Sequence, residues 1–190
     1  MVSTHYNPPS LIFLQNLATP ILRVGCALVD DVMLRDVEET DLHIFFEYES
    51  DPTPVYMAAF TAKNPADKDA FDAHWKRMLG DETIVKRTIL FDGHVVGSVA
   101  SFIDQDFGKR EVTYWIGREY WGKGIATKAL SKFLRELKVN PIYARASKDN
   151  VASIRVLEKC GFKITGHGKG FANARGKEIA EVVLEHTADI

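Results

Sequence analysis

Along this chain the spacing of apolar and polar positions changes several times, and each change marks an element. "VMLRDV", Val32 to Val37, alternates and predicts a strand. "EETDLHIFFEYES", Glu38 to Ser50, switches to helical spacing. "NPADKDAFDAHWKRML", Asn64 to Leu79, predicts a second helix, with Asn64 as N-cap, Pro65 in the first turn and Gly80 as the stop. Thr83 to Phe102 reads as two β-rich runs joined by Asp92-Gly93, the signature of a type I′ hairpin. "REVTYWIG", Arg110 to Gly117, is a further strand.

Past Gly124 the helical period returns. Ile125, Ala129, Leu130, Phe133, Leu134 and Leu137 fall on one face, with Lys128, Lys132 and Arg135 elsewhere. "IYARA", Ile142 to Ala146, has the composition of a buried strand. "DNVASIRVLEKCGF", Asp149 to Phe162, reads as a capped helix ending at Gly161, a natural left-handed residue after a helix. Two closing strands, Phe162 to Gly166 and Glu178 to Leu184, flank a glycine-rich turn. Strand, two helices, three strands, helix, strand, helix and strands together imply an α/β fold with a mixed sheet. Residues 32–186 read as a single domain, 1–31 as an N-terminal extension and 187–190 as a tail. The extension contains "LIFLQNLATPILRVGCALV", whose apolar run is broken by Gln15, Asn16, Pro20 and Arg23; neither a signal peptide nor a spanning helix is expected from it.

Composition narrows the function. The 24 basic and 26 acidic residues leave a formal charge of -2 with no basic block, so neither a nucleic-acid partner nor a membrane is expected. Two cysteines, Cys26 and Cys160, give no disulfide framework, and reduced thiols in the cytoplasm are expected. The six histidines form no HExxH and no cluster with cysteine, so no metal is expected.

The chemistry-bearing stretch is "YWGKGIA", Tyr120 to Ala126. Gly122, Gly124 and Ala126 leave the backbone bare at alternate positions, just where a helix begins. The unpaired N–H groups and positive dipole end of that helix would form a phosphate site. The spacing is not GxxxxGK[ST], and Thr127 stands where a dinucleotide fingerprint needs its third glycine. On the loop alone, a plain tight turn stays open beside an anion site.

With "DNVASIRVLEKCGF" added, residues 32–186 resemble the GNAT superfamily of N-acetyltransferases, and within it the RimJ/RimL type. The superfamily loop Q/R-x-x-G-x-G/A is matched by Trp121-Gly122-Lys123-Gly124-Ile125-Ala126, with Trp in the first place as in that branch. The helix matches the branch's N-x-x-S…L-E-K-x-G-F segment. The resemblance implies a GNAT fold, a mixed central β-sheet flanked by helices, and acetyl-CoA as cosubstrate. It places the pyrophosphate on amides of Gly122, Lys123, Gly124, Ile125, Ala126 and Thr127, and the pantetheine arm along Tyr114, Trp115 and Ile116. Asn150 caps its helix, contacts the cofactor, or does both.

Transfer to an amine needs a proton acceptor, a polarised thioester carbonyl and a proton for the leaving thiolate. Glu111, opening the "REVTYWIG" strand, is the candidate base; a surface glutamate paired with Arg110 or Lys109 is the plain alternative. A backbone N–H of Trp115 or Ile116 would polarise the carbonyl. Many relatives carry a tyrosine acid where this chain has Leu157; Ser153 is the substitute suggested by RimL-like relatives, or else a helix residue bonding its own backbone. Cys160 sits at a helix C-terminus, where the dipole disfavours thiolate, so a covalent acetyl-enzyme is not expected. Glu49 and Asp51 could draw in a cationic amine or simply be solvated. The expected partner is an amine acceptor, a protein N-terminus or a small molecule, and a homodimer is left open. The rival reading, which Leu157 favours, is a non-catalytic acyl-CoA-binding module.

Overall fold

The computed structural model describes residues 32–187; the expectations for residues 1–31, Cys26 among them, and for the tail from 188 lie outside the described residues. The strands are β1 (Val32–Arg35), β2 (Val85–Phe91), β3 (His94–Ile103), β4 (Arg110–Ile116), β5 (Ile142–Ser147), β6 (Lys163–Ala172) and β7 (Lys177–His186). The helices are α1 (Leu42–Ser50), α2 (Pro52–Ala58), α3 (Lys68–Gly80), α4 (Ile125–Leu137) and α5 (Val151–Lys159). All seven strands form one mixed sheet in the order β1-β2-β3-β4-β5-β7-β6, in which β4 and β5 are the parallel pair. Asp92 and Gly93 both have positive φ, as a type I′ turn requires, and Gly161 ends α5 at φ 91.

Three local expectations need correction. α2, which carries Pro52 and Pro54, is not among the expected elements. Both lie in its first turn, where no intrahelical N–H is needed, and the Asp51 carboxylate accepts from Thr53 N–H at 3.0 Å as its cap. α3 begins three residues later than expected for an Asn64 cap. Asp67 N–H closes a turn onto Asn64 O, and Asp67 itself caps the helix by accepting from Ala70 N–H at 2.9 Å. The glycines of the supposed closing turn are instead inside β6. A Cβ on Gly168 would lie 2.9 Å from Glu181 Oε1, and one on Gly170 would lie 2.9 Å from Phe60 Cε1. Glycine there makes room on one sheet face; the turn itself is the short 3-10 segment Asn173–Arg175.

The sheet has two differently used faces. α4 and α5 cover one, burying Ile125, Leu130, Phe133 and Leu157 against Val112, Ala144, Ala146 and Leu184. The other carries α1 to α3, where Phe45, Phe71 and Trp75 make a smaller aromatic core. Buried Asp41 pins the start of α1: it accepts a bidentate pair from Arg35 at 2.6 and 2.7 Å and the Thr88 hydroxyl at 2.6 Å. In β3 the register against β2 shifts at Ile89/Leu90, leaving Val96 as an extra residue. Gly97 follows it, and a Cβ there would lie 1.9 Å from Trp115 O, so only glycine lets β3 close on β4 at this point. Among the described residues no helix is long and apolar enough to cross a membrane.

Candidate active site

The site forms where the sheet opens. β4 pairs with β3 along its length but meets β5 at one residue pair only, Glu111 with Tyr143. Beyond Glu111 the two strands part, and the β5-facing edge of Thr113 to Ile116 has no strand beside it. Gly117 N–H donates to Val96 O at 2.9 Å. On the alternation of an antiparallel ladder, Trp115 then turns its N–H toward β3, while Tyr114 and Ile116 turn theirs into the opening. The Ile116 carbonyl is already held by the Trp121 indole N–H at 2.9 Å. Trp121 thus ties the glycine loop to the end of β4.

In the loop, Gly122 and Gly124 adopt φ 75 and 77, a left-handed conformation that other residues rarely take. A Cβ on either would meet open space, so these glycines are needed for their φ and for bare backbone. Gly124 is the N-cap of α4 and supplies no side-chain cap, which leaves the first N–H groups of the helix free for a ligand.

A cavity of about 920 Å³ runs from this loop through the strand opening to α2 and β6. Of the residues singled out from the sequence, Glu111, Ser153, Tyr114, Trp115, Ile116, Gly122, Gly124, Ile125, Ala126, Thr127 and Asn150 line it. Lys123 does not; its ammonium lies 5.2 Å from the centroid of the Tyr120 ring. Glu49 and Asp51 also lie outside the lining. Glu49 is half-buried against Trp75, and burial pushes its carboxyl up to about 7; the Trp75 indole, at a geometry short of a proper hydrogen bond, offsets this only in part. Asp51 caps α2 and pairs with Arg118 at 3.2 Å.

Strand pleating puts the chemistry on opposite faces. Glu111 shares the α2 face with Phe102, Tyr143 and Arg145, whereas Tyr114 points with Val112 and Ile116 toward α4 and α5. Glu111 is 5% exposed and its partner is neither Arg110 nor Lys109. Arg145 Nε lies 2.8 Å from Glu111 Oε1, but at an angle that leaves that oxygen without a hydrogen bond. Arg145 is shared with Asp104 at 2.7 Å. Burial raises the Glu111 carboxyl and outweighs the lowering by Arg145, with Asp104 and Glu181 adding to the rise.

On the other face the Tyr114 hydroxyl lies 2.9 Å from Ser153 Oγ, and burial pushes the phenol up to about 12. Ser153 therefore bonds a tyrosine rather than its own helix carbonyl. Asn150 is occupied at both ends of its amide: its oxygen caps α5 by accepting from Ser153 N–H at 3.1 Å, and its NH₂ donates to Met57 O at 3.2 Å. It joins α5 to the α2 wall. Leu157, in place of the usual tyrosine, is 2% exposed and packed in the core. Burial raises the Cys160 thiol, with Ser131 offsetting this in part, and its Sγ lies 3.4 Å from Ser131 Oγ and from Thr127 O.

Sequence reading missed Arg145, Asp104, Glu181 and the Tyr114 hydroxyl. One signal was there for Arg145: a charged residue inside the buried pattern of "IYARAS".

An open parallel strand pair and a bare helix N-terminus thus meet in one cleft. Residues 31–163 match the family described as Acetyltransferase (GNAT) domain. The chain therefore belongs to the GNAT acetyltransferase family, a family of acetyl-CoA-dependent acyltransferases. It is 30% identical over 164 residues to the uncharacterized N-acetyltransferase p20 of Bacillus licheniformis, covering 77% of this chain and 86% of that one. It is 32% identical over 119 residues to YdaF of Bacillus subtilis, which carries a provisional assignment as a ribosomal N-acetyltransferase; the match covers 58% of this chain and spans 65% of that relative's length. Among solved structures, the microcin C7 self immunity acetyltransferase MccE, in complex with acetyl-CoA and AMP, shares the fold with a TM-score of 0.70 at 16% identity, over 84% of this chain and 94% of that one.

Proposed function

We propose that this chain is a cytoplasmic N-acetyltransferase that moves the acetyl group of acetyl-CoA directly onto a primary amine while both are bound. The observation that carries the reading is the arrangement at the strand opening. A buried carboxylate, Glu111, and a hydroxyl pair, Tyr114–Ser153, line one cavity from opposite faces of the sheet. The residues fit the cosubstrate: bare amides at the α4 N-terminus suit its pyrophosphate, and the free edge of β4 suits its amide-bearing arm.

In this reaction the amine nitrogen forms a bond to the acetyl carbon and the carbon–sulfur bond breaks. Glu111, whose Oε1 has no donor, takes the amine proton, directly or through water. Its raised carboxyl is better matched to that task than an ordinary glutamate. Ile116 N–H polarises the carbonyl, since Trp115 faces the ladder. The leaving thiolate takes its proton from Ser153, which Tyr114 supplies in turn. Tyr114 and Ser153 thereby replace the tyrosine absent at Leu157.

The RimJ/RimL likeness and the ribosomal assignment of YdaF support a protein N-terminus as acceptor. At the acceptor end, Glu111 and Glu181 supply negative charge, and Met57, Phe60 and Phe102 an apolar wall; an amine next to an apolar group suits both. The test is thiol release from acetyl-CoA across N-terminal peptides, amino acids and polyamines, with the acetylated product read by mass spectrometry. Tight acetyl-CoA binding without thiol release on any amine would replace this reading by a non-catalytic acyl-CoA-binding module.

A further inference from the structure

Beside the base of the reaction above sits a guanidinium that could disable it. Arg145 Nε lies 2.8 Å from Glu111 Oε1, yet that oxygen has no hydrogen bond. A guanidinium so near a carboxylate normally closes a two-bonded fork, as Arg35 does on Asp41 at 2.6 and 2.7 Å. At Glu111 the fork stays open, and a third residue accounts for it.

Asp104, just past the end of β3, accepts from Arg145 Nη2 on its Oδ2 at 2.7 Å. Its other oxygen is anchored, since Oδ1 accepts from Asp106 N–H at 3.1 Å and from Phe107 N–H at 2.7 Å. The backbone of the turn closes on the same residue: Gly108 N–H donates to Asp104 O at 2.8 Å, and Asp104 N–H to Lys109 O at 2.9 Å. Asp104 therefore cannot follow Arg145 if the guanidinium turns. Nε and Nη2 form one side of the guanidinium, and here that side is divided between two carboxylates. The other charged groups around Glu111 leave the division undisturbed. Glu181 on β7 is a further acid lining the cavity, the Lys109 ammonium lies 4.1 Å from the centroid of the Tyr143 ring, and Lys169 on β6 lies 3.8 Å from Glu178.

We infer that Asp104 is a positioning residue for the base: by taking Nη2 it stops Arg145 closing on Glu111 and leaves Oε1 open to the amine proton. This rests on the reading of Glu111 as base. The balance of charge agrees with it. Burial, Asp104 and Glu181 raise the Glu111 carboxyl, and an Arg145 held at this angle lowers it only in part.

The test is Asp104→Asn, whose amide oxygen still caps the turn but whose NH₂ cannot accept from Arg145. Two readouts are taken on the full chain: the Glu111 carboxyl titration by NMR, assigned by its loss in Glu111→Gln, and kcat/KM against pH. A released Arg145 should close on Glu111, moving both the titration and the acid limb to lower pH. With the base tied up, kcat should fall roughly ten-fold while the KM for acetyl-CoA holds. Arg145→Gln should instead move the titration to higher pH, and Asp104→Asn added to it should shift the titration far less than in wild type. If thermal melting shows Asp104→Asn unfolded, Asp104→Ser, whose hydroxyl also caps such a turn, takes its place. An unmoved titration overturns the inference. So does an equal shift with Arg145 removed, which would make Asp104 a bare charge acting through space. A titration that moves as expected while kcat/KM keeps its profile upholds the contact and overturns Glu111 as the base.

Discussion

The two faces of the sheet are built on different principles. On the α4–α5 face, everything that would hold the cosubstrate comes from one continuous stretch between β4 and the end of α5: the free strand edge, the left-handed glycines, the bare helix N-terminus and the Tyr114–Ser153 pair. The α2 face gathers its residues from distant places, with Met57 and Phe60 from α2 and beyond, Phe102 from β3, Glu111 from β4, Arg145 from β5 and Glu181 from β7. A ligand common to a whole family can be held by a local motif. An acceptor that differs between members is held by contacts that any one strand can change without disturbing the other face.

The sharpest way to break that division is at Glu111, the residue that stands at the junction. Glu111→Gln keeps the shape and leaves Arg145 its Asp104 partner, but cannot accept a proton. Turnover should fall roughly 10²-fold or more while acetyl-CoA affinity holds. The pH dependence sharpens it further. Since burial raises this carboxyl, wild-type kcat/KM should decline as pH falls through a value above that of an ordinary glutamate, because only the ionised form is a base. The variant's residual rate should lack that limb. Steady-state kinetics from pH 5 to 9 checks both; turnover within two-fold of wild type at neutral pH puts the base elsewhere.

The same division explains what the sequence made legible. The loop and α5 could be read because their signals are local: glycine spacing, an N-cap, a helical apolar face. Glu111 could be proposed, but not its partner, because Arg145 reaches it across a parallel strand pair that sequence order does not reveal. α2 is short and is not among the elements the pattern predicts; its two prolines are harmless because both lie in the first turn. β6 was hidden because alternate glycines read as a turn, although Glu181 and Phe60 are what require them. The Tyr114–Ser153 contact joins β4 to a helix well downstream, and no spacing rule links the two.

A smaller effect, confined to the cosubstrate face, is expected at Gly124. Its φ of 77 strains any residue with a Cβ, above all a β-branched one, although the space around it is open. Gly124→Val should distort the α4 N-terminus and weaken coenzyme A binding about ten-fold or more, roughly 1.4 kcal/mol or above. Amine KM should shift less than acetyl-CoA KM, because the α2 face shares no residue with the loop. Calorimetry showing unchanged affinity in a folded variant would remove the loop from the cosubstrate site.

The smallest effect should come from Cys160, the one described thiol near the cleft. It is buried on the cosubstrate face, and burial holds its pKa above the usual thiol value, so little thiolate forms at neutral pH. With no activated nucleophile there, the amine must meet the thioester directly. Cys160→Ala removes a sulfur that contacts Ser131 Oγ and Thr127 O and leaves a small void, so stability should drop by about 1 kcal/mol while most activity remains. Initial-rate plots should intersect, and acetyl-CoA alone should add no mass to the protein. A stoichiometric acetyl adduct on Cys160, discharged by added amine, would move the chemistry into the core of the α4–α5 face. The two faces would then act in sequence on a covalent enzyme instead of together on two bound substrates.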